Sequence, residues 1–145
     1  ALEAGVRGSC KGLGSICARV LQHIDSACAP LLDMTMPPRC SHARLATSSS
    51  SNTAVLIHGY DFLTNAIWPE IQEAFVAELS HIFRPAIPDL FHGNYCLMTE
   101  FVSNIEGYCV DAAHVRRLRE QTAYKSFARK WNLPIYYQLR FQDIR

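Results

Sequence analysis

The sequence predicts an all-α protein, a helical bundle or a segment of a helical rod. Three observations carry that expectation. Apolar residues recur at the 3.6-residue helical period along 60–83, 89–105 and 111–144. The breaks between these stretches are short and rich in Pro, Gly, Asp and Asn. No alternating apolar and polar pattern of any length marks a sheet.

Residues 1–33 read as a helix whose stripe is Ile16, Val20, Ile24 and Leu31, broadened by Leu13 and Leu21. Gly5, Gly8, Gly12 and Gly14 each cost about 1 kcal/mol against Ala in a helix interior, which weakens its first half. Gly12-x-Gly14 lacks the third glycine of a dinucleotide-binding turn, because position 17 is Cys17, and no strand precedes it. Pro37-Pro38 closes this region.

A polar run, Thr47-Ser48-Ser49-Ser50-Ser51-Asn52-Thr53, follows. It has too little apolar surface to offset the entropy of ordering it, so 39–59 is expected to be a flexible linker. Its serines are candidates for phosphorylation. The expected division is therefore a helical segment at 1–38, a linker at 39–59 and a helical bundle at 60–145. Ala54-Val55-Leu56-Ile57 is the one strand-like run, and it ends in His58-Gly59. A hydrolase reading of that dipeptide requires a G-x-S-x-G turn carrying the nucleophile, and the sequence has none.

The helix at 60–83 has Asp61 or Thr64 as N-cap and a seam of Trp68, Ile71, Phe75, Leu79 and Ile82. Pro69 lies inside that pattern, so it either kinks the helix or marks its first turn. Glu70, Glu73 and Glu78 read as a solvated face, since the partner E-x-x-H of a di-iron bundle is absent. Pro85 and Pro88 break the chain. Asp89 is expected to cap the next helix, whose seam is Phe91, Tyr95, Met98, Val102 and Ile105. His81 and His92 flank the break without the i, i+4 pairing of a zinc site. Gly107 stops this helix. Asp111 caps the next, with Val115 and Leu118 inside and Arg116, Arg117 and Arg119 outside.

The last stretch interleaves cations with rings. Tyr124, Phe127 and Trp131 step at helical spacing, Asn132-Leu133-Pro134 stops them, and Tyr137, Phe141 and Ile144 step the same way afterwards. Two amphipathic helices joined at a proline corner are expected, with both sets of rings facing inward. The alternative use of 110–145 is nucleic-acid or acidic-surface binding, with phosphates on the cations and bases on the rings. Rings on an apolar seam argue for core, and no nucleic-acid-binding signature accompanies them.

Charge is uneven. Residues 1–59 hold five basic and three acidic residues, 60–109 hold one and seven, and 110–145 hold eight and three. Such blocks either pack on each other or face different partners. The six cysteines, Cys10, Cys17, Cys28, Cys40, Cys96 and Cys109, form no C-x-x-C pair, and reduced thiols are expected. No apolar run approaches the roughly 20 residues of a membrane span. The first residues lack the charged and apolar regions of a secretory signal. The last residues stop within an amphipathic pattern, so a piece of a longer chain is expected. No catalytic, cofactor-binding or metal-binding residues are assigned.

Three segments carry a resemblance: 60–71 (Y-D-F-L-T-N-A-I-W-P-E-I), 88–95 (P-D-L-F-H-G-N-Y) and 130–141 (K-W-N-L-P-I-Y-Y-Q-L-R-F). With Val115-Arg116-Arg117-Leu118-Arg119 and Ala123-Tyr124-Lys125-Ser126-Phe127 between them, they resemble the middle of the second subunit of the conserved oligomeric Golgi complex, in collinear order over about 59–145. The resemblance implies a subunit built of helical bundles stacked into a rod, without catalytic activity or cofactor. It implies a peripheral place on the cytoplasmic side of Golgi membranes and in the cytosol, and a role in capturing vesicles for retrograde intra-Golgi transport. The implied partners are the first, third and fourth subunits, with indirect contact to the membrane and to fusion proteins, and no nucleic acid. The first 58 residues carry none of this resemblance.

Overall fold

The computed structural model describes residues 10–34 and 60–143. The expected linker, the strand-like run with His58-Gly59, and Ile144 lie outside the described residues. Among the described residues every regular element is helical, as expected of an all-α bundle.

The described residues form seven α-helices in order: α1 (Cys10–His23), α2 (Ala29–Met34), α3 (Trp68–Glu78), α4 (Pro88–Glu106), α5 (Ala112–Glu120), α6 (Thr122–Lys130) and α7 (Leu133–Asp143). Two π-helical segments lead into helices. Ile24–Cys28 joins α1 to α2, and Leu63–Ile67 runs into α3. Each ends two residues before a proline, Pro30 and Pro69. A proline has no N–H to give, and in an α-helix its ring strikes the carbonyl four residues back. A widened turn just ahead makes room for the ring. In the second segment the Trp68 N–H reaches back five residues to the Leu63 carbonyl. Pro69 therefore lies in the first turn of α3, one of the two places expected for it, and the π turn ahead absorbs the extra residue.

The core joins Leu13, Cys17 and Ile24 of the first helical run to Leu63, Trp68, Phe75, Ile82 and Phe83. On the other side it takes Phe91, Met98, Phe101 and Ile105 of α4, Leu118 of α5, Phe127 of α6, and Trp131. The long α4 lies at the centre, with α1 on one side and α7 on another, while α3 packs on α6. A Cβ added at Gly14 would meet Leu97 Cδ2 at 3.9 Å, so α1 lies close on α4 there. Gly12-x-Gly14 is thus part of a packed helix.

A chain of rings threads this core. Trp68 meets Phe127 edge-on at 5.5 Å, Phe127 meets Phe83 at 5.6 Å, and Phe83 meets Trp131 at 4.8 Å. Trp131 then meets Phe91 at 5.5 Å, and Phe91 stacks on Tyr136 at 5.2 Å. Edge-to-face pairs of this kind add about 1 kcal/mol each beyond the area they bury.

Four expectations are corrected. The helix expected at 60–83 stops at Glu78, and Ser80–Phe83 forms a 3-10 turn that carries Ile82 and Phe83 inward. Asp89 does not cap α4. Ile87 holds the cap position without a side-chain bond, Pro88 sits in the first turn, and Asp89 reaches across to Arg140. Along the helical run 10–34 the buried stripe is Leu13, Cys17 and Ile24, while Ile16 of α1 and Leu31 of α2 face outward. In α7 the inward residues are Leu133 and Tyr136, and Tyr137 and Phe141 are 57% and 72% exposed. The proline corner itself stands where expected: Asn132 Oδ1 accepts from the Ile135 N–H at 3.5 Å, and Pro134 follows in the first turn.

Candidate functional site

Three polar joints and an apolar groove stand out among the described residues.

The first joint lies where the start of the second helical run meets α5. Asp61 caps its own helix, its Oδ1 accepting from the Thr64 N–H at 2.9 Å. Asp111 caps α5 as expected, accepting from the His114 N–H at 2.7 Å. That cap sets His114 pointing inward, 2% exposed, with Nε2 at 3.0 Å from Asp61 Oδ1. His114 Nδ1 accepts from the Val110 N–H at 3.3 Å, so Nε2 carries the proton and donates to Asp61. Burial pushes the Asp61 carboxyl up, but the Thr64 hydrogen bonds together with the His114 contact outweigh it and hold the group below the usual carboxylate range.

A buried His–Asp pair invites a catalytic reading. A general base, however, needs a ring nitrogen free to take a proton, and both nitrogens of His114 are committed to Asp61 and Val110. The nearby Cys109 thiol is pushed up to about 11, by burial first and then by the carboxylates of Asp61 and Glu106. A protonated thiol is a poor nucleophile. The arrangement fastens two helices.

In the second joint, Glu106 at the end of α4 receives Arg119 of α5 through two parallel bonds of 2.7 Å and the Tyr124 hydroxyl of α6 at 2.8 Å. Arg119 is the main cause holding the Glu106 carboxyl below its usual range, against burial. The third is the Tyr108 hydroxyl, which donates to Asp25 Oδ1 at 2.6 Å and ties the first π segment to the end of α4.

The groove lies between α1 and α3. Its volume is about 720 Å³, and its walls are mainly apolar, with Val20 and Ile24 on one side and Ile71 and Phe75 on the other.

The remaining flagged residues are dispersed. Glu70, Glu73 and Glu78 face solvent, as do His81 and His92. Among the described residues no group of three His, Cys, Asp or Glu side chains is placed to hold a metal ion. Cys17, Cys28, Cys96 and Cys109 are free thiols. Tyr124, Phe127 and Trp131 are packed in the bundle, which removes them as stacking platforms for bases. No described helix is long and apolar enough to cross a membrane. Sequence reasoning missed His114 and the groove. The Asp111-x-x-His114 spacing, which turns the histidine inward after the cap, was the signal for the first.

The residues that build the corner between α6 and α7 are those of the 130–141 string. Trp131 is buried, Asn132 caps, Leu133 and Tyr136 pack inward, and Arg140 pairs with Asp89. Over 111 residues, 75% of this chain, the sequence is 41% identical to the human protein named conserved oligomeric Golgi complex subunit 2. The chain is a relative of conserved oligomeric Golgi complex subunit 2. The proteins of that name from Arabidopsis thaliana and Drosophila melanogaster are 34% identical over 61% and 26% identical over 98% of this chain. The matched segment is 15% of the length of the human subunit 2, 12% of the plant one and 18% of the fly one. No family model and no solved structure matches the chain.

Proposed function

We propose that this chain is a non-catalytic scaffold segment of a Golgi vesicle-tethering complex. The carrying observation is the 41% identity to subunit 2 over 75% of the chain. Two features of the described residues support the reading: an all-helical bundle, and polar joints that fasten its helices to one another. On it, the segment acts at the cytoplasmic side of Golgi membranes, peripherally, in retrograde intra-Golgi transport. Its partners are the first, third and fourth subunits of the complex.

Co-expression of the chain with those three subunits, followed by size-exclusion chromatography, tests this reading. Co-elution with at least one of them is expected. A folded chain that elutes alone, with all three subunits present and assembled, overturns it.

A further inference from the structure

Two properties mark the groove between α1 and α3. First, both π-helical segments border it, Ile24 and Cys28 from one and Ile67 from the other. Widened turns of this kind recur at functional sites. Here they flank the same gap from its two sides, while the close contacts of α1 run to α4. Second, its two lips carry opposite charge. Arg19 stands on the α1 lip and Glu70 on the α3 lip. Both are exposed, and neither has an ion-pair partner among the described residues. Apolar walls under unpaired charges of opposite sign define the chemistry of what fits.

We propose that this groove docks an amphipathic helix of a partner protein, with an apolar face flanked by acidic residues on one side and basic residues on the other. From Ile16, at 39% exposure the outermost apolar side chain of the α1 wall, to Cys28 is about 18 Å along the helix axis, at about 1.5 Å per residue. That length takes about three turns of a guest helix, inserting side chains at i, i+3, i+4 and i+7. The acidic flank lies against Arg19 and the basic flank against Glu70, which fixes the direction of the guest. The inference goes beyond the subunit reading, because the groove selects a helix by chemistry whichever protein carries it.

Cys28 provides the readout, as a free, half-buried thiol on the groove. The probes are three synthetic helical peptides of about 14 residues sharing one leucine face. One has glutamate on one flank and lysine on the other, one has glutamate on both, and one has lysine on both. Alkylation of Cys28 is followed by mass spectrometry of the whole chain after digestion. The mixed-flank peptide is expected to slow it about fivefold or more at saturation. Each single-charge peptide is expected to bind about fivefold more weakly. Glu70→Lys makes both lips basic and transfers the preference to the all-glutamate peptide; Arg19→Glu transfers it to the all-lysine peptide. Both substitutions are at exposed positions, and circular dichroism checks that the fold is kept.

Equal protection by all three peptides, or none by any, overturns the proposal. Two other occupants are also overturning results. Protection of Cys28 that rises with protein concentration alone assigns the groove to a second copy. Protection already present in the free chain and lost on Leu56→Asp assigns it to the chain's own apolar run at 54–57. Failure to co-elute with Golgi subunits leaves these outcomes untouched.

Discussion

Gln121 donates its side-chain amide to the carbonyl of Thr64 at 2.8 Å, across 57 positions of sequence. The bond meets a need created by Pro69. In the π register of Leu63–Ile67, the Thr64 carbonyl would take its bond from the residue five places on, and that residue is Pro69. A buried carbonyl without a donor costs about 1–3 kcal/mol. Gln121 sits at the break between α5 and α6, so the defect in one helix is closed by the turn between two others.

Gln121→Ala is therefore expected to destabilise the chain by about 1–2 kcal/mol in urea unfolding. The cost is expected to shrink in a Pro69→Ala background, where residue 69 has an N–H of its own to offer. Equal losses in the two backgrounds would show that Pro69 does not create the need.

The two faces of α7 give a sharp contrast. Tyr137→Ser and Phe141→Ser are expected to change stability by no more than about 0.5 kcal/mol, as exposed positions do. Phe127→Ala and Trp131→Ala are expected to cost about 3–5 kcal/mol, because each leaves a void in the ring chain. Thermal or urea unfolding of the four variants decides it, and a large loss at Tyr137 would restore the inward face expected from sequence.

Asp111→Ala removes the cap of α5 and loosens the backbone that positions His114. The expected loss is about 1 kcal/mol or somewhat more. His114 amide exchange should accelerate with it, measured by hydrogen–deuterium exchange, since the bonded N–H is His114's own.

Acid sensitivity follows from the two carboxyls held below their usual values, Asp61 and Glu106. A carboxyl whose folded pKa is depressed binds its proton more readily in the unfolded chain. Its contribution is fully present above the unfolded value and lost as pH falls through the folded one. Stability should accordingly hold above about pH 5 and decline below it. Asp61→Asn and Glu106→Gln should each be less stable at neutral pH and lose less on acidification, read from urea midpoints at a series of pH values. An unchanged acid limb in both variants would assign the decline to other groups.

The seam of α4 was legible because large side chains at Phe91, Met98 and Ile105 leave one stripe to choose. α7 was not, because Tyr136 and Tyr137 are adjacent and lie about 100° apart around a helix. Stepping from Tyr137 reaches Phe141, a better apolar partner than Arg140, which follows Tyr136. Only the docking surface on α4, where Asp89 receives Arg140 and Phe91 stacks on Tyr136, selects the other stripe. In α1 a cysteine, Cys17, takes the core position that Ile16 was expected to hold. The π segments shift the helical register by a residue, which no strict 3.6-residue period follows, although Pro30 and Pro69 mark where to look. The groove was invisible because it is a property of two helices that are far apart in sequence.

The ring chain also links parts of the chain that leave the ribosome at different times. Trp68, Phe83 and Phe91 are made before the rings that cover them, Phe127, Trp131 and Tyr136. A growing chain emerges from its N-terminal end and folds in the units it can close. The ring cluster closes only when α6 and the corner after it have emerged. A nascent chain that ends before residue 127 carries Trp68, Phe83 and Phe91 without the rings they pack against at 127, 131 and 136.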